Sequence, residues 1–286
     1  MTEAATSRPW RRLGLAAGGG ELPVLLAEAE PDAFILRLTG FCDSDFEGRE
    51  SAEVGIGEFG KAFKALKDAG CDAICFAGYV NRPDFSALKL DARGALFLPK
   101  AVAAARKGDN GLLQALLEEF DKNGYRPVGA DEVLDALKPE AGVLGAVQPD
   151  ETGLADARKA LQTARAIGGL DIGQGAVVAD GLVLAVEAQE GTNAMLERVA
   201  GLPAEVRGTP AARRGALGKA PKPIQDRRID LPTFGLETVE RARQAGLAGL
   251  AMQAGAALII DREAVIAAAD AAGLFLYAEE PEEGAS

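Results

Sequence analysis

The chain has 286 residues, 48% hydrophobic and 26% charged, enough to bury a full core and to form two domains of ordinary size. Its formal net charge of −12 excludes a general affinity for nucleic acid or anionic lipid, so any phosphate site must be a local basic island. The sequence contains no histidine, which removes Ser-His-Asp and Cys-His catalysis and the common zinc hydrolase sites. Phosphate chemistry here would need a metal held by oxygen, and a carboxylate, lysine or metal-bound water as base. Apolar runs fall short of the roughly 20 residues that span a bilayer. Arginines before LGLAAGGGELPVLL imitate a signal peptide, but three glycines and Glu21 interrupt it. A cytoplasmic protein is expected.

The first half alternates strand and helix. RLGLAA (12–17) predicts a strand, Gly18, Gly19 and Gly20 a turn, and LPVLLAEAE (22–30) a helix with Pro23 near its start. AFILRLTGF is a second strand, residues 42–51 a polar loop, EFGKAFKALKDAG an amphipathic helix, CDAICFAG a third strand and NGLLQALLEEFDKNG a helix ending at Gly124. Cys71 and Cys75 sit at strand spacing, read as core sulfurs on one face; with Cys42 they form no CxxC pair. This order predicts an α/β fold, an N-terminal Rossmann-like, doubly wound parallel sheet with ligand sites at strand ends.

KPEAGVLGAVQPD, rich in glycine and proline, marks a boundary, giving a domain over 1–137, a linker over 138–150 and a distinct C-terminal α/β domain over 151–286. The second domain opens with a helix, LADARKALQTARAIGG, followed by GAVVADGLVLAVEA, a hairpin turning at Asp180-Gly181. Beyond residue 235 come a helix (TVERARQAGLAG), a short strand (ALIID), a helix (REAVIAAADAAG), a strand (LFLYA) and an acidic tail expected to be disordered.

The segment KAPKPIQDRRIDLPTFG (219–235) carries the densest chemistry. Lys219, Lys222, Arg227 and Arg228 are donors for phosphate oxygens, Asp226 and Asp230 are hard ligands of the kind magnesium prefers, and three prolines stiffen the backbone. A solvated inter-helix loop is the plain alternative. Gly18, Gly19 and Gly20 let backbone amides approach an anion at a helix start, although the third glycine of a dinucleotide fingerprint falls at Pro23. In EAQEGTN, Glu187, Glu190 and Thr192 offer oxygen ligands at a strand end, and a helix cap by Thr192 or Asn193 explains the motif equally. Asp171 and Gln174 lie in a glycine-bracketed turn, and Arg82 and Asp84 in a loop after the third strand.

Five stretches in order, LGLAAGGGELP, GEFGKAFKALKDAGC with FAGYVNRP, GDNGLLQALLEEF with NGYRPVGADEVL, LDIGQGAVVADGLVLAVEAQEGTNAML, and KAPKPIQDRRIDLPTFGLETVERARQAGLAGLA, resemble the UDP-2,3-diacylglucosamine pyrophosphatase family of the LpxI type, from Leu13 to about Asp270. The resemblance implies magnesium-dependent hydrolysis of UDP-2,3-diacylglucosamine to UMP and 2,3-diacylglucosamine 1-phosphate on the way to lipid A, by two domains that enclose the substrate. It also implies a lipidated nucleotide sugar as partner rather than nucleic acid, and transient contact with the inner membrane. Homodimerisation is compatible with it. The family pattern has EGTD where this chain has Asn193.

The expected metal ligands are Asp226, Glu187 and Glu190. The catalytic set is Asp226, Asp230, Lys219, Lys222, Arg227 and Arg228, with Gly18, Gly19, Gly20, Arg82, Gln174, Thr192 and Gln225 contacting substrate. A site with only oxygen donors is expected to accept manganese in place of magnesium. Met195, Leu196, Val199 and Phe234 are read as an acyl-chain groove, and Trp10 among Arg8, Arg11 and Arg12 as a membrane anchor or a frayed tail. The residues alone also leave open an NAD- or FAD-dependent oxidoreductase and a non-catalytic carrier of nucleotide sugar or lipid.

Overall fold

A computed structural model describes residues 8–80, 87–106, 108–223, 226, 228 and 231–281. Arg82, Asp84, Gln225, Arg227, Asp230 and the end of the acidic tail lie outside them. The chain divides into two compact units, Met1–Leu134 and Asp135–Ser286.

The first unit runs β1 (Leu13–Ala17), α1 (Leu22–Ala29), β2 (Phe34–Leu38), β3 (Ser51–Val54), α2 (Phe59–Asp68), β4 (Ala73–Ala77), α3 (Ala92–Ala105), α4 (Asp109–Lys122), β5 (Arg126–Val128) and α5 (Ala130–Val133). Its five strands pair in the order β3-β2-β1-β4-β5, and every pairing is parallel. β1 is apolar and wholly buried, as a central strand covered on both faces must be. An aromatic cluster of Phe59, Phe63, Phe97 and Phe120 fills one side, and Tyr125 Oη donates to Phe63 O at 2.9 Å.

The second unit contains β6 (Gly142–Leu144), α6 (Glu151–Gly169), β7 (Gly175–Ala179), β8 (Leu182–Val186), α7 (Gly191–Ala200), α8 (Ala204–Arg207), β9 (Gly208–Thr209) and β10 (Ala212–Arg213). β11 (Ala216–Lys219), β12 (Thr233–Phe234), α9 (Leu236–Gln244), β13 (Gly249–Gln253), β14 (Leu258–Ile259), α10 (Arg262–Ala272) and β15 (Phe275–Glu279) follow. Six strands form a mixed sheet, β6-β15-β13-β11-β7-β8. β11, β13 and β15 are parallel, while β6, β7 and β8 each run against the strand they extend.

Small residues set the packing of α6 on one face. Ala157 and Ala164 meet Ala176, Ala216 and Ala251, and a Cβ at Gly218 would stand 2.6 Å from the backbone nitrogen of Leu161. The opposite face carries Val177, Leu217, Leu250 and Met252 against α7, α9 and α10. The two sets alternate along each strand, as the pleat requires.

Several expectations change. The GLAG expected to continue α9 turns at Gly246 (φ +74) and enters β13, a strand buried at every position and so without the alternation that would mark it. Ala216–Lys219 is a strand, so Lys219 begins the basic segment from inside the sheet. The polar loop before residue 51 leads into β3, and within the expected linker β6 adds an edge to the second sheet. Cys71 lies in the aromatic core with Ile74; Cys75, adjacent to Ile74 in β4, points to the other face.

Met195, Leu196, Val199 and Phe234 are fully buried in the second core and present no groove. Trp10 is also buried. Its arginine neighbours are tied down, Arg8 to Glu30, Arg11 to Asp72 and Arg12 to Glu50, so over residues 8–12 the chain is packed on the first unit and Trp10 is not presented to a membrane.

Candidate active site

The three parallel strands of the second sheet end together at Lys219, Gln253 and Glu279. β7 starts at that edge and β8 finishes there, because both turn back antiparallel. The Asp180-Gly181 turn that reverses them has positive φ at both residues (49° and 75°), as a tight hairpin demands. Asp156 of α6 secures it by accepting from the Asp180 and Gly181 N–H groups at 2.9 and 2.7 Å.

This arrangement sets Lys219, Gly175 and Glu187 in a row across three strands. Lys219 is paired with Gly175, and Glu187 N donates to Gly175 O at 2.8 Å. Lys219 is buried, with Nζ donating to Thr233 O at 2.9 Å and lying 5.4 Å from the Phe234 ring centre. Glu187 is only 6% exposed. Its Oε1 accepts from Thr192 Oγ1 at 2.8 Å, whereas Oε2 is buried with no hydrogen-bond partner among the described residues. Gly175 leaves the space this carboxylate fills, since a Cβ there would stand 2.7 Å from Oε2.

Gln174 falls on the α6 face, one residue before Gly175, and its Oε1 is likewise buried and unpartnered among the described residues. The α6 face also holds Arg165, whose guanidinium donates to Glu279 Oε2 at 2.7 Å and to Gln253 Oε1 at 3.5 Å. Sequence reading missed these three, because they are far apart in the chain and no motif joins them.

Beyond β11 the backbone carries Lys222, whose Nζ donates to Asp171 Oδ1 at 2.8 Å, and then Asp226, which accepts from Arg228 Nε at 2.9 Å and Nη2 at 2.6 Å. The Arg228 contacts hold the Asp226 carboxyl below its ordinary range. Glu190 pairs with Arg198 on α7; its own backbone N–H, with Arg198 assisting, keeps it ionised below the usual range. Among the described residues no three histidine, cysteine or acidic side chains converge as a metal cluster. The orphaned Glu187 oxygen does suit a hard cation, which would supply the missing partner.

In the first unit, Gly18, Gly19 and Gly20 follow β1 as expected, but their amides have partners. Gly18 N donates to Ala77 O at 2.8 Å and Gly19 N to Tyr79 O at 3.0 Å. Gly20 N donates to both carboxylate oxygens of Asp43, at 3.0 and 3.1 Å, and Tyr79 Oη donates to Asp43 Oδ2 at 3.0 Å. The glycine turn before α1 thus already holds an anion, from the chain itself.

The comparisons agree with this two-part layout. Residues 12–137 match the family model for the LpxI N-terminal domain, and residues 140–277 that for the LpxI C-terminal domain. Over 277 residues, covering 96% of this chain and 99% of the relative, the sequence is 57% identical to the UDP-2,3-diacylglucosamine pyrophosphatase LpxI of Caulobacter vibrioides. With both domain models matched in order and the relative matched nearly end to end, the chain belongs to the LpxI family.

Proposed function

We propose that this protein hydrolyses the diphosphate bond of UDP-2,3-diacylglucosamine to UMP and 2,3-diacylglucosamine 1-phosphate, a step toward lipid A. The observation that carries the reading is 57% identity to a UDP-2,3-diacylglucosamine pyrophosphatase over 99% of that protein's length. The edge of the second sheet supports it with cations suited to a diphosphate. Lys219, fixed over Phe234, and Lys222, held by Asp171, meet phosphate oxygens with charge-assisted hydrogen bonds. Asp226 orients the attacking water and takes its proton, and the Arg228 contact keeps the carboxylate ionised for that task. Asp230, Arg227, Gln225 and Arg82 join as further substrate or catalytic contacts.

Glu187, through its unpartnered oxygen, would hold a magnesium ion, with manganese as a substitute, and Asp226 would join it by exchanging a contact with Arg228. Such an ion supplies neutralisation of the charge that develops on the diphosphate oxygens. Glu190, engaged by Arg198, would serve this ion only after leaving its arginine. No described helix is long and apolar enough to cross a membrane. The lipidated substrate is met in the cytoplasm by transient contact with the inner membrane surface.

The test is UMP release from UDP-2,3-diacylglucosamine by purified protein, with magnesium, with manganese and with excess chelator. Release with either metal and none with chelator is expected. A protein that binds this substrate and never cleaves it would be a carrier, contrary to the proposal.

A further inference from the structure

Helix α6 ends in a manner that glycine ordinarily serves. Ile172 N–H donates to Ile167 O at 3.1 Å and Asp171 N–H to Gly168 O at 3.0 Å, the paired bonds that close a helix through a left-handed residue. The left-handed residue is Asp171, at φ 54, where a side chain meets its own backbone and glycine would not. The helix end already contains Gly168 and Gly169; aspartate is among the side chains that tolerate the left-handed region, as Asp180 and Asp261 also do, so a reason to prefer it to glycine must come from its carboxylate.

That reason lies across the turn. Asp171 Oδ1 accepts from Lys222 Nζ at 2.8 Å, and the two side chains are only 16% and 12% exposed. Gly168 permits the approach, since a Cβ there would stand 3.2 Å from Lys222 Cα. Lys222 therefore rests against the C-terminal end of α6, where the carbonyl ends carry partial negative charge, and Asp171 fixes its ammonium from one side. Three residues earlier in the chain is Lys219, in the row with Gly175 and Glu187.

The geometry points to Asp171 as a positioning residue for the hydrolase reaction, holding the Lys222 ammonium in place for an anionic oxygen of the diphosphate. It rests on the proposed function and adds to it a residue outside the catalytic set. Glycine would close the helix without strain but would leave the Lys222 ammonium, nearly buried, without its carboxylate. A positioning Asp171 cannot be replaced by glycine without loss of the clamp.

The experiment compares Asp171→Gly, Asp171→Asn, Lys222→Met and the Asp171→Gly/Lys222→Met double variant for thermal midpoint, kcat and KM with UDP-2,3-diacylglucosamine. Asp171→Gly is expected to lower the midpoint, because the nearly buried Lys222 ammonium loses its partner, while kcat/KM measured well below that midpoint falls about tenfold or more, mostly in KM, because the ammonium meets phosphate in the ground state too. Asp171→Asn, of the same shape without the charge, should fall comparably. In the Lys222→Met background the glycine change should cost nothing further. An Asp171→Gly protein within about twofold of wild-type kcat/KM, or one whose loss only tracks a lowered midpoint, would overturn the inference. So would the same fold-loss repeated in the absence of Lys222. Wild-type protein that releases no UMP would instead defeat the underlying hydrolase reading.

Discussion

Asp226 grips Arg228 across a single intervening residue, receiving two guanidinium bonds at 2.9 and 2.6 Å and the Arg228 backbone N–H at 3.0 Å. The contact leaves the carboxylate ionised and its orientation set. Asp226→Ala should lower kcat about a hundredfold or more with KM little changed, as expected on loss of a group that acts in the transition state. The partly exposed ion pair itself should cost no more than about 1 kcal/mol of stability. Steady-state kinetics beside denaturant unfolding separates the two effects, and an Ala variant with full turnover would remove Asp226 from catalysis.

Gly175→Ala tests the row on the sheet edge. The added methyl group would stand 2.7 Å from Glu187 Oε2 and 3.4 Å from Met195 Cε, so the carboxylate must move. Overpacking of this kind costs about 1–3 kcal/mol, and turnover should fall by about tenfold through displaced Glu187. Kinetics and a melting curve provide the check; an unchanged rate would show that the position of Glu187 is unimportant.

The first unit offers a pH prediction. The Gly20 amide, followed by the Tyr79 hydroxyl, holds Asp43 below its ordinary value of 3.8, and the same hydrogen bond raises Tyr79 above 10.0. A carboxyl depressed in the folded state contributes stability that is present above pH 3.8 and is lost as pH falls through the folded value. Carboxyl-carbon NMR should therefore find Asp43 titrating below 3.8, and Asp43→Asn should flatten the acid limb of the stability profile. An ordinary titration midpoint would mean the Gly20 contact is absent in solution.

Thiol chemistry gives a fourth test. Burial pushes Cys71 up to about 11 and Cys75 higher still, while Cys42 is only partly buried. Since the thiolate is the reactive form, Ellman's reagent at neutral pH should modify Cys42 in the native protein and all three cysteines only after denaturation. Rapid modification of three native thiols would contradict the buried placement of β4.

The elements that sequence makes visible are those whose signals are local. The Asp180-Gly181 turn carries its own chemistry, and α2 shows a clear apolar stripe through Phe59, Phe63 and Leu66. β11 and β13 escape notice because two short central strands, buried at every position, show no alternation of polar and apolar residues. α3 is obscured by Pro99 inside it. In the candidate site, Lys219, Glu187 and Asp226 were suggested by residue type. Their meaning was not, since Gly175 between Lys219 and Glu187 is seen only once strand order is known, and Arg165 meets Glu279 only through the sheet.

The row of Lys219, Gly175 and Glu187 also constrains when the protein can become competent during folding. Gly175 and Glu187 are brought together by the local β7-β8 hairpin, which can close early. Lys219 reaches them only when β11 docks on β7, after the chain has traversed α7, α8 and the short β9-β10 pair. Non-local pairing of this kind is the slow part of assembling a sheet. A nascent chain that has emerged only as far as Glu187 therefore carries the carboxylate and not Lys219, and competence cannot arrive before β11 docks.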